Sequence, residues 1–183
     1  MKGIVFNVLE AVVSEAHGEE TWDDLIDSAG VSGSYTSMGN YPDEELFAIV
    51  GAASKALSLD ADAIVEWFGT QAIAKFHERY PALFDSHRDA RSFVLTLNDI
   101  IHPEVRKLYP GADAPDFDFQ GFPDGSLNMV YHSKKQLCSL AIGLVKGAAA
   151  HYGQDAQIRH EGGCMKTGAE SCVLHCEFPA KEG

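Results

Sequence analysis

The first half of the chain repeats apolar side chains at three- and four-residue steps, the period of a helix with one buried face. The opening helix is expected to end at Gly18 and carries Ile4, Val5, Val8, Leu9, Val12 and Val13. Further helices are predicted over residues 21–29, from Pro42 to about residue 57, and from an N-cap at Asp60 to about Tyr80. A glycine- and serine-rich loop, residues 30–41, separates the second helix from the third.

After residue 115 the pattern changes from helical periodicity to alternation. Residues 116–119 alternate acidic and aromatic side chains, and residues 127–131 follow a Pro-Asp-Gly turn, which together predict a β-hairpin. A helix over about residues 135–151 and strands near residues 156–161 and 172–178 complete the chain. This order predicts an α+β fold, with a helical N-terminal lobe and a C-terminal lobe containing a four-stranded antiparallel sheet.

Composition narrows the classes of function. The 183 residues are 45% apolar and 22% charged, as in a soluble globular protein, and the net charge of -13 argues against nucleic acid and anionic membranes as partners. No apolar run approaches the roughly 20 residues needed to span a bilayer. The acidic N-terminus does not resemble a signal peptide. Without a secretion signal, the four cysteines are expected to be free thiols or metal ligands rather than a disulfide framework. We therefore expect a cytoplasmic protein.

Residues 93–109 combine an apolar stripe with a histidine that lies off it. The stripe consists of Phe93, Leu97, Ile101, Val105 and Leu108. At 100° per residue His102 points the other way, and Pro103 predicts a kink or break at this histidine. An imidazole held at such a break is suited to bind a cofactor. A surface or helix-capping histidine is the alternative.

A second group of polar residues follows the predicted hairpin. Tyr131, Ser133 and Lys135 alternate along an extended segment and therefore point to one face. Two hydroxyl donors and a cation on one face are suited to bind a pair of carboxylates, such as the propionates of haem.

These two segments resemble the haem nitric oxide/oxygen-binding (H-NOX) domain, which is also the sensor module of soluble guanylate cyclases. The resemblance rests on His102-Pro103 before Leu-Tyr-Pro-Gly-Ala, on Pro115, and on Tyr-x-Ser-x-Lys at residues 131–135. It covers the whole chain. Lys135 departs from the arginine of the family, keeping the charge but losing the bidentate fork.

The resemblance implies one domain, residues 1–183, with haem b between a helical lobe of about residues 1–60 and a haem-ligating and sheet lobe of about residues 61–183. It implies that His102 is the axial ligand of the haem iron and that Tyr131, Ser133 and Lys135 bind the propionates. Pro115 takes the place of a proline that presses on the porphyrin. Without the resemblance, Pro115 would be an ordinary turn proline.

The resemblance also implies a distal wall, formed by Val5, Leu9, Phe76, Leu140 and Leu144. Oxygen-binding relatives have a tyrosine at the position of Leu140 and a supporting polar residue at that of Ala72. Leucine cannot donate a hydrogen bond to bound oxygen, whereas nitric oxide depends little on a donor. We therefore expect selectivity for nitric oxide, with carbon monoxide bound more weakly. Without the resemblance these side chains would be ordinary core.

The expected function is that of a gas sensor and not of an enzyme. The sequence ends at Gly183 without a catalytic domain, so we expect the signal to pass to another protein. The resemblance implies a histidine kinase or a cyclic-di-GMP enzyme as this partner. A haem enzyme such as a peroxidase is disfavoured because the predicted distal wall lacks an acid–base group.

The C-terminal residues contain a candidate zinc site. Its predicted ligands, one histidine and three thiolates, are His160, Cys164, Cys172 and Cys176. Cys172 and Cys176 would lie ~13 Å apart on a straight strand, so this set requires a bulge or a later strand start. Cys138 is expected to be a separate packing thiol, and His175 is a reserve ligand.

The cysteines also permit a different function. A Cys164–Cys172 pair could sense oxidation, which would make the protein a zinc- or thiol-based redox regulator in which haem is secondary.

Overall fold

The structure is a computed structural model that describes residues 1–179, so the last four residues of the predicted second lobe lie outside the described part. Its helices are α1 (Gly3–His17), α2 (Glu19–Ala29), α3 (Asp43–Leu57), α4 (Ala61–Arg79), α5 (Ala90–Val94), α6 (His102–Leu108) and α7 (Cys138–His151). A π-helical segment, Leu97–Ile101, precedes α6, and short 3₁₀ turns occupy Pro81–Leu83 and Met165–Thr167. Within residues 1–179, no helix combines the length and apolar composition needed to cross a bilayer.

Local sequence signals account for where α2 ends and where α3 and α4 begin. The Asp60 side chain accepts a hydrogen bond from the Asp62 N–H at 2.8 Å and caps α4, as predicted. Acidic residues 43–45 occupy the first turn of α3, where the helix dipole favours negative charge. Gly30 ends α2 with a φ of 67°, a conformation that glycine adopts without steric cost. These helices match the predicted ones to within two residues.

The second half forms the predicted antiparallel sheet. Its strands are β1 (Asp116–Gly121), β2 (Leu127–His132), β3 (Gln157–His160) and β4 (Cys172–Glu177), in the order β1-β2-β4-β3. The hairpin pairs Phe117 with Tyr131 and Phe119 with Met129, and β2 pairs Tyr131 with Cys172. The fold is therefore α+β, as predicted. Helix α7 begins three residues later than expected because residues 133–137 form a turn in which Gln136 has a φ of 53°.

The buried apolar side chains form two hydrophobic cores, and helix α4 contributes to both. One joins α1, α2 and α3 to the first half of α4, and the other joins the sheet, α5 and α7 to the second half of α4. The predicted division into lobes at about residue 60 stays a prediction.

The segment around His102 stays helical and does not break at the histidine. The amides of Ile101 and His102 bond to the carbonyls of Thr96 and Leu97, five residues back, which makes a π turn rather than a break. His102 has φ and ψ of -67° and -37°, helical values despite the following proline. The wider π turn makes room for the Pro103 ring, which would otherwise crowd the preceding turn of an α-helix. The π turn also changes the angle between successive side chains, so that His102 and the apolar stripe line the same cavity.

Candidate functional site

A cavity of about 320 Å³ lies between the helices and the sheet, within the size range of cofactor sites. Its lining includes nearly all the residues that the resemblance assigns to haem: Val5, Phe76, His102, Pro115, Tyr131, Ser133, Lys135, Leu140 and Leu144. These residues come from α1, α4, α6, α7, β2 and the two loops that precede β1 and α7. The fold thus brings together positions that are up to 139 residues apart in sequence (5 to 144).

Leu9 does not line this cavity. It lies one turn beyond Val5 on α1 and is buried in the N-terminal core with 5% exposure. Of the two predicted distal residues on α1, Val5 lines the cavity and Leu9 does not. Ala72 is fully buried in the same core.

His102 is half-buried and lines the cavity. Its Nδ1 atom is enclosed and unpaired among the described residues. Burial lowers the pKa of His102 to about 4, and the positive charge of Arg106 acts in the same direction. The nearby Pro115 carbonyl, which falls short of hydrogen-bond geometry, and the Asp116 carboxylate oppose this shift. The ring is therefore neutral at physiological pH, the form that binds metal.

Tyr131 and Ser133 lie on one side of the cavity with hydroxyl protons available. The Tyr131 oxygen accepts the Leu137 N–H at 3.0 Å, and the Ser133 oxygen accepts the Lys135 N–H at 3.3 Å. Both hydroxyls act as acceptors in these bonds and can still donate. Burial raises the pKa of Tyr131, so its hydroxyl stays protonated.

Lys135 is held between two carboxylates. Its Nζ lies 2.7 Å from Oδ2 of Asp43, at the start of α3, and 3.2 Å from Oδ2 of Asp113. The side chains of Lys135 and Asp43 are mostly buried beside the cavity, whereas that of Asp113 is exposed. A propionate bound here would share this cation with Asp43 and Asp113.

The predicted distal residues lie on three helices. Leu140 and Leu144 are on α7, Phe76 is on α4 and Val5 is on α1. None of these side chains can donate a hydrogen bond. Helices α4 and α7 pack against each other through glycines, since a Cβ added to Gly69 would lie 2.7 Å from the Leu140 carbonyl oxygen.

A separate cluster of metal-binding side chains lies at the cysteine-rich end. It consists of Cys138, His160, Cys164 and Cys172, whose ligand atoms all lie within 4.8 Å of one another. The Sγ of Cys164 lies 3.7 Å from that of Cys138 and 3.4 Å from that of Cys172. One histidine and three thiols at this spacing match a tetrahedral zinc site.

The composition of this cluster corrects the prediction at two positions. Strand β4 runs without interruption from Cys172 to Glu177, so neither a bulge nor a late start brings Cys176 to the cluster, and this thiol is buried in the core. Cys138, expected to lie apart, is the first residue of α7 and supplies the missing thiol. His175, the reserve ligand, is not part of this cluster, and its Nδ1 lies 2.7 Å from the Asn128 amide oxygen.

The thiols of the cluster differ in acidity. Burial raises the pKa of Cys138, and raises that of Cys172 to about 12. Burial acts on Cys164 in the same sense, but the Lys166 N–H and the neighbouring thiols outweigh it and lower the pKa of Cys164. Cys164 is therefore the thiol that loses its proton first, as a metal ligand must.

The chain matches the Haem-NO-binding family over residues 2–160 and belongs to that family. An H-NOX protein from S. oneidensis, solved in the Fe(II)NO ligation state, is 36% identical; the match covers 97% of this chain and 99% of that one, with a TM-score of 0.90. The Fe(II)CO state of a Shewanella oneidensis H-NOX domain matches at 35% identity over 99% and 100%, with a TM-score of 0.88. A mutant H-NOX protein from K. algicida, in the unliganded Fe(II) state, matches at 26% identity over 97% and 96%, with a TM-score of 0.86.

The family and the fold confirm the resemblance seen in the sequence. H-NOX domains bind haem and act as sensor domains for gases. The cavity fits such a group, because it combines a histidine with an unpaired buried nitrogen, apolar walls, two hydroxyls and a cation. The sequence did not reveal the carboxylate partners of Lys135 or the part played by Cys138. The ~13 Å expected between Cys172 and Cys176 on a straight strand was the signal in the sequence against placing both thiols in one site.

Proposed function

We propose that this protein is a haem-based sensor selective for nitric oxide over oxygen. The observation that carries the proposal is His102, which lines an apolar cavity and whose Nδ1 atom is buried without a hydrogen-bond partner. His102 would ligate the iron, and Tyr131, Ser133 and Lys135 would hold the propionates. Bound haem would supply the iron that binds the gas, and His102 would be the residue that leaves this iron when nitric oxide binds.

The selectivity follows from what Leu140 lacks. A hydroxyl at this position would donate to bound oxygen, whose charge separation makes it a good acceptor, whereas a leucine leaves that charge without a partner. Nitric oxide needs no such donor. Loss of the His102 bond would then free α6 to move, which is a two-state change driven by a ligand.

Paired substitutions test this proposal. Visible absorption spectra of the reduced protein should respond to nitric oxide with loss of the histidine bond and should not change in air. Leu140→Tyr should create an oxygen-dependent spectrum, whereas Leu140→Phe, which adds a similar ring without a hydroxyl, should not. A stable oxygen complex of the unsubstituted protein would overturn the argument from Leu140.

We further propose that the sensor relays its state to a separate histidine kinase or cyclic-di-GMP enzyme. The family resemblance supports this proposal. It is tested by adding the protein, with and without nitric oxide, to candidate enzymes from the same organism. The activity of the true partner should depend on the gas, and identical activity under both conditions for all candidates would contradict the proposal.

The cluster of Cys138, His160, Cys164 and Cys172 supports a second site, a structural zinc ion. Zinc here would join the end of β3 and the start of β4 to the start of α7. Metal analysis of protein purified without added zinc should give about one equivalent of zinc per chain. A metal-free protein with a Cys164–Cys172 disulfide would favour the alternative, a thiol-based redox regulator.

A further inference from the structure

The helical segment that carries His102 is attached to the sheet at its first turn. The Asn98 side chain donates a hydrogen bond to the Phe117 carbonyl at 2.5 Å and accepts one from the Phe117 N–H at 3.2 Å. It thus pairs with β1 much as a neighbouring strand would. The Phe117 ring lies 6.0 Å from the ring of His102. This two-bond attachment fixes the π segment to the sheet.

The same helical segment is attached to α4 at its other end. Tyr109 follows the last turn of α6 and is buried with 8% exposure. Its hydroxyl is hydrogen-bonded to that of Tyr80, the residue that ends α4, and the two rings meet edge to face at 6.4 Å. The Tyr80 N–H bonds to the carbonyl of Phe76, a predicted distal residue, at 2.8 Å. The tyrosine pair therefore connects the His102 helix to a helix that forms another wall of the cavity.

Besides the tyrosine pair, α6 packs through Val105 against both hydrophobic cores. Its main contacts within residues 1–179 are with the π segment that precedes it. The polar contacts of its side chains are local, from Lys107 to Glu104 and from Arg106 to Ala114 and Asp116. Burial raises the pKa of Tyr109 to about 12, so its hydroxyl keeps its proton at physiological pH. The hydroxyl pair is therefore the principal polar link between α6 and the helical part of the fold.

We infer that Tyr80 and Tyr109 are positioning residues that hold the end of α6 against α4 and so set how readily His102 leaves the cavity. Asn98 and Phe117 form the fixed end of the segment, and the tyrosine pair forms the end that releases. The inference rests on the proposed function, because displacement of His102 has meaning as a signal only in a haem-based sensor. It assigns to this pair control over the proportion of molecules that lose the histidine bond.

Amide hydrogen exchange in the haem-free protein tests the inference. Tyr80→Phe and Tyr109→Phe each remove one hydroxyl and keep the ring. Either should speed exchange in residues 102–108 by up to tenfold, the factor that corresponds to a lost hydrogen bond of about 1.4 kcal/mol. Tyr35→Phe is the matched control, since it removes a hydroxyl that bonds to Glu45, outside this segment, at 2.8 Å. It should leave exchange in these residues unchanged.

The double variant and the haem-loaded protein give further readouts. If the two hydroxyls share one bond, Tyr80→Phe combined with Tyr109→Phe should match either single variant, and additive effects would overturn the inference. With haem and nitric oxide, both single variants should lose the histidine bond faster than the control. The inference is also overturned if neither single variant changes amide hydrogen exchange in residues 102–108. If the unsubstituted protein binds no haem, the proposed function fails, and the exchange experiment still decides whether the pair holds α6.

Discussion

The crossing of α4 and α7 offers a direct test of the packing around the cavity. Gly69 of α4 lies against the backbone of α7, and a Cβ at this position would be 2.7 Å from the Leu140 carbonyl oxygen and 2.9 Å from the Leu144 nitrogen. These two residues belong to the predicted distal wall. Gly69→Ala therefore pushes on backbone that shapes the cavity, where no flexible side chain can move aside.

Two opposing terms set the expected magnitude. Alanine favours a helix over glycine by about 1 kcal/mol. Relief of the clash requires the helices to move apart by roughly 0.7 Å or more to reach ordinary contact, and overpacking of this kind costs about 3 kcal/mol at the upper end of its range. We expect a net loss of about 2 kcal/mol in the free energy of unfolding, or roughly 4 to 8 °C in Tm for a chain of this size.

The assay compares two identical substitutions in haem-free protein by urea and thermal unfolding. Gly51→Ala is the control, because Gly51 lies within α3 and a Cβ there has no atom within 4 Å. It should gain up to about 1 kcal/mol from helix propensity alone. If Gly69→Ala stabilises the protein as much as Gly51→Ala does, the close backbone contact between α4 and α7 is refuted.

Three other predictions concern charge and metal. Cys138→Ala should weaken zinc binding by at least about a hundredfold, whereas Cys176→Ala should leave it unchanged; the reverse result would restore the ligand set predicted from sequence. Lys135→Met should speed haem loss to an acceptor globin by roughly 10- to 100-fold, and Lys134→Met, an exposed neighbour, should have little effect. Burial and a neighbouring histidine lower the pKa of His151, so the unfolded state binds its proton more readily. Stability should therefore fall as the pH decreases from about 6.5, and His151→Gln should flatten that dependence measured by urea unfolding; an unchanged slope would contradict it.

Much of the fold could be predicted from sequence because its signals are local. The N-cap at Asp60, the acids that begin α3 and the alternation in β1 each act within a few residues, and the structure confirms the elements they predict. The motif around His102 and the spacing from Tyr131 to Lys135 identified the family in the same way. The cavity then contains these residues together.

The tertiary structure decided the relations between distant residues. Cys138 lies next to Cys164 because α7 begins beside the end of β3, which no spacing within the last residues of the chain could indicate. Leu9 lies in the core because the cavity ends one turn earlier along α1. His102 faces the same cavity as the apolar stripe because a π turn shifted the register that 100° steps assumed. Local periodicity thus determined which elements form, whereas packing between elements determined which side chains meet.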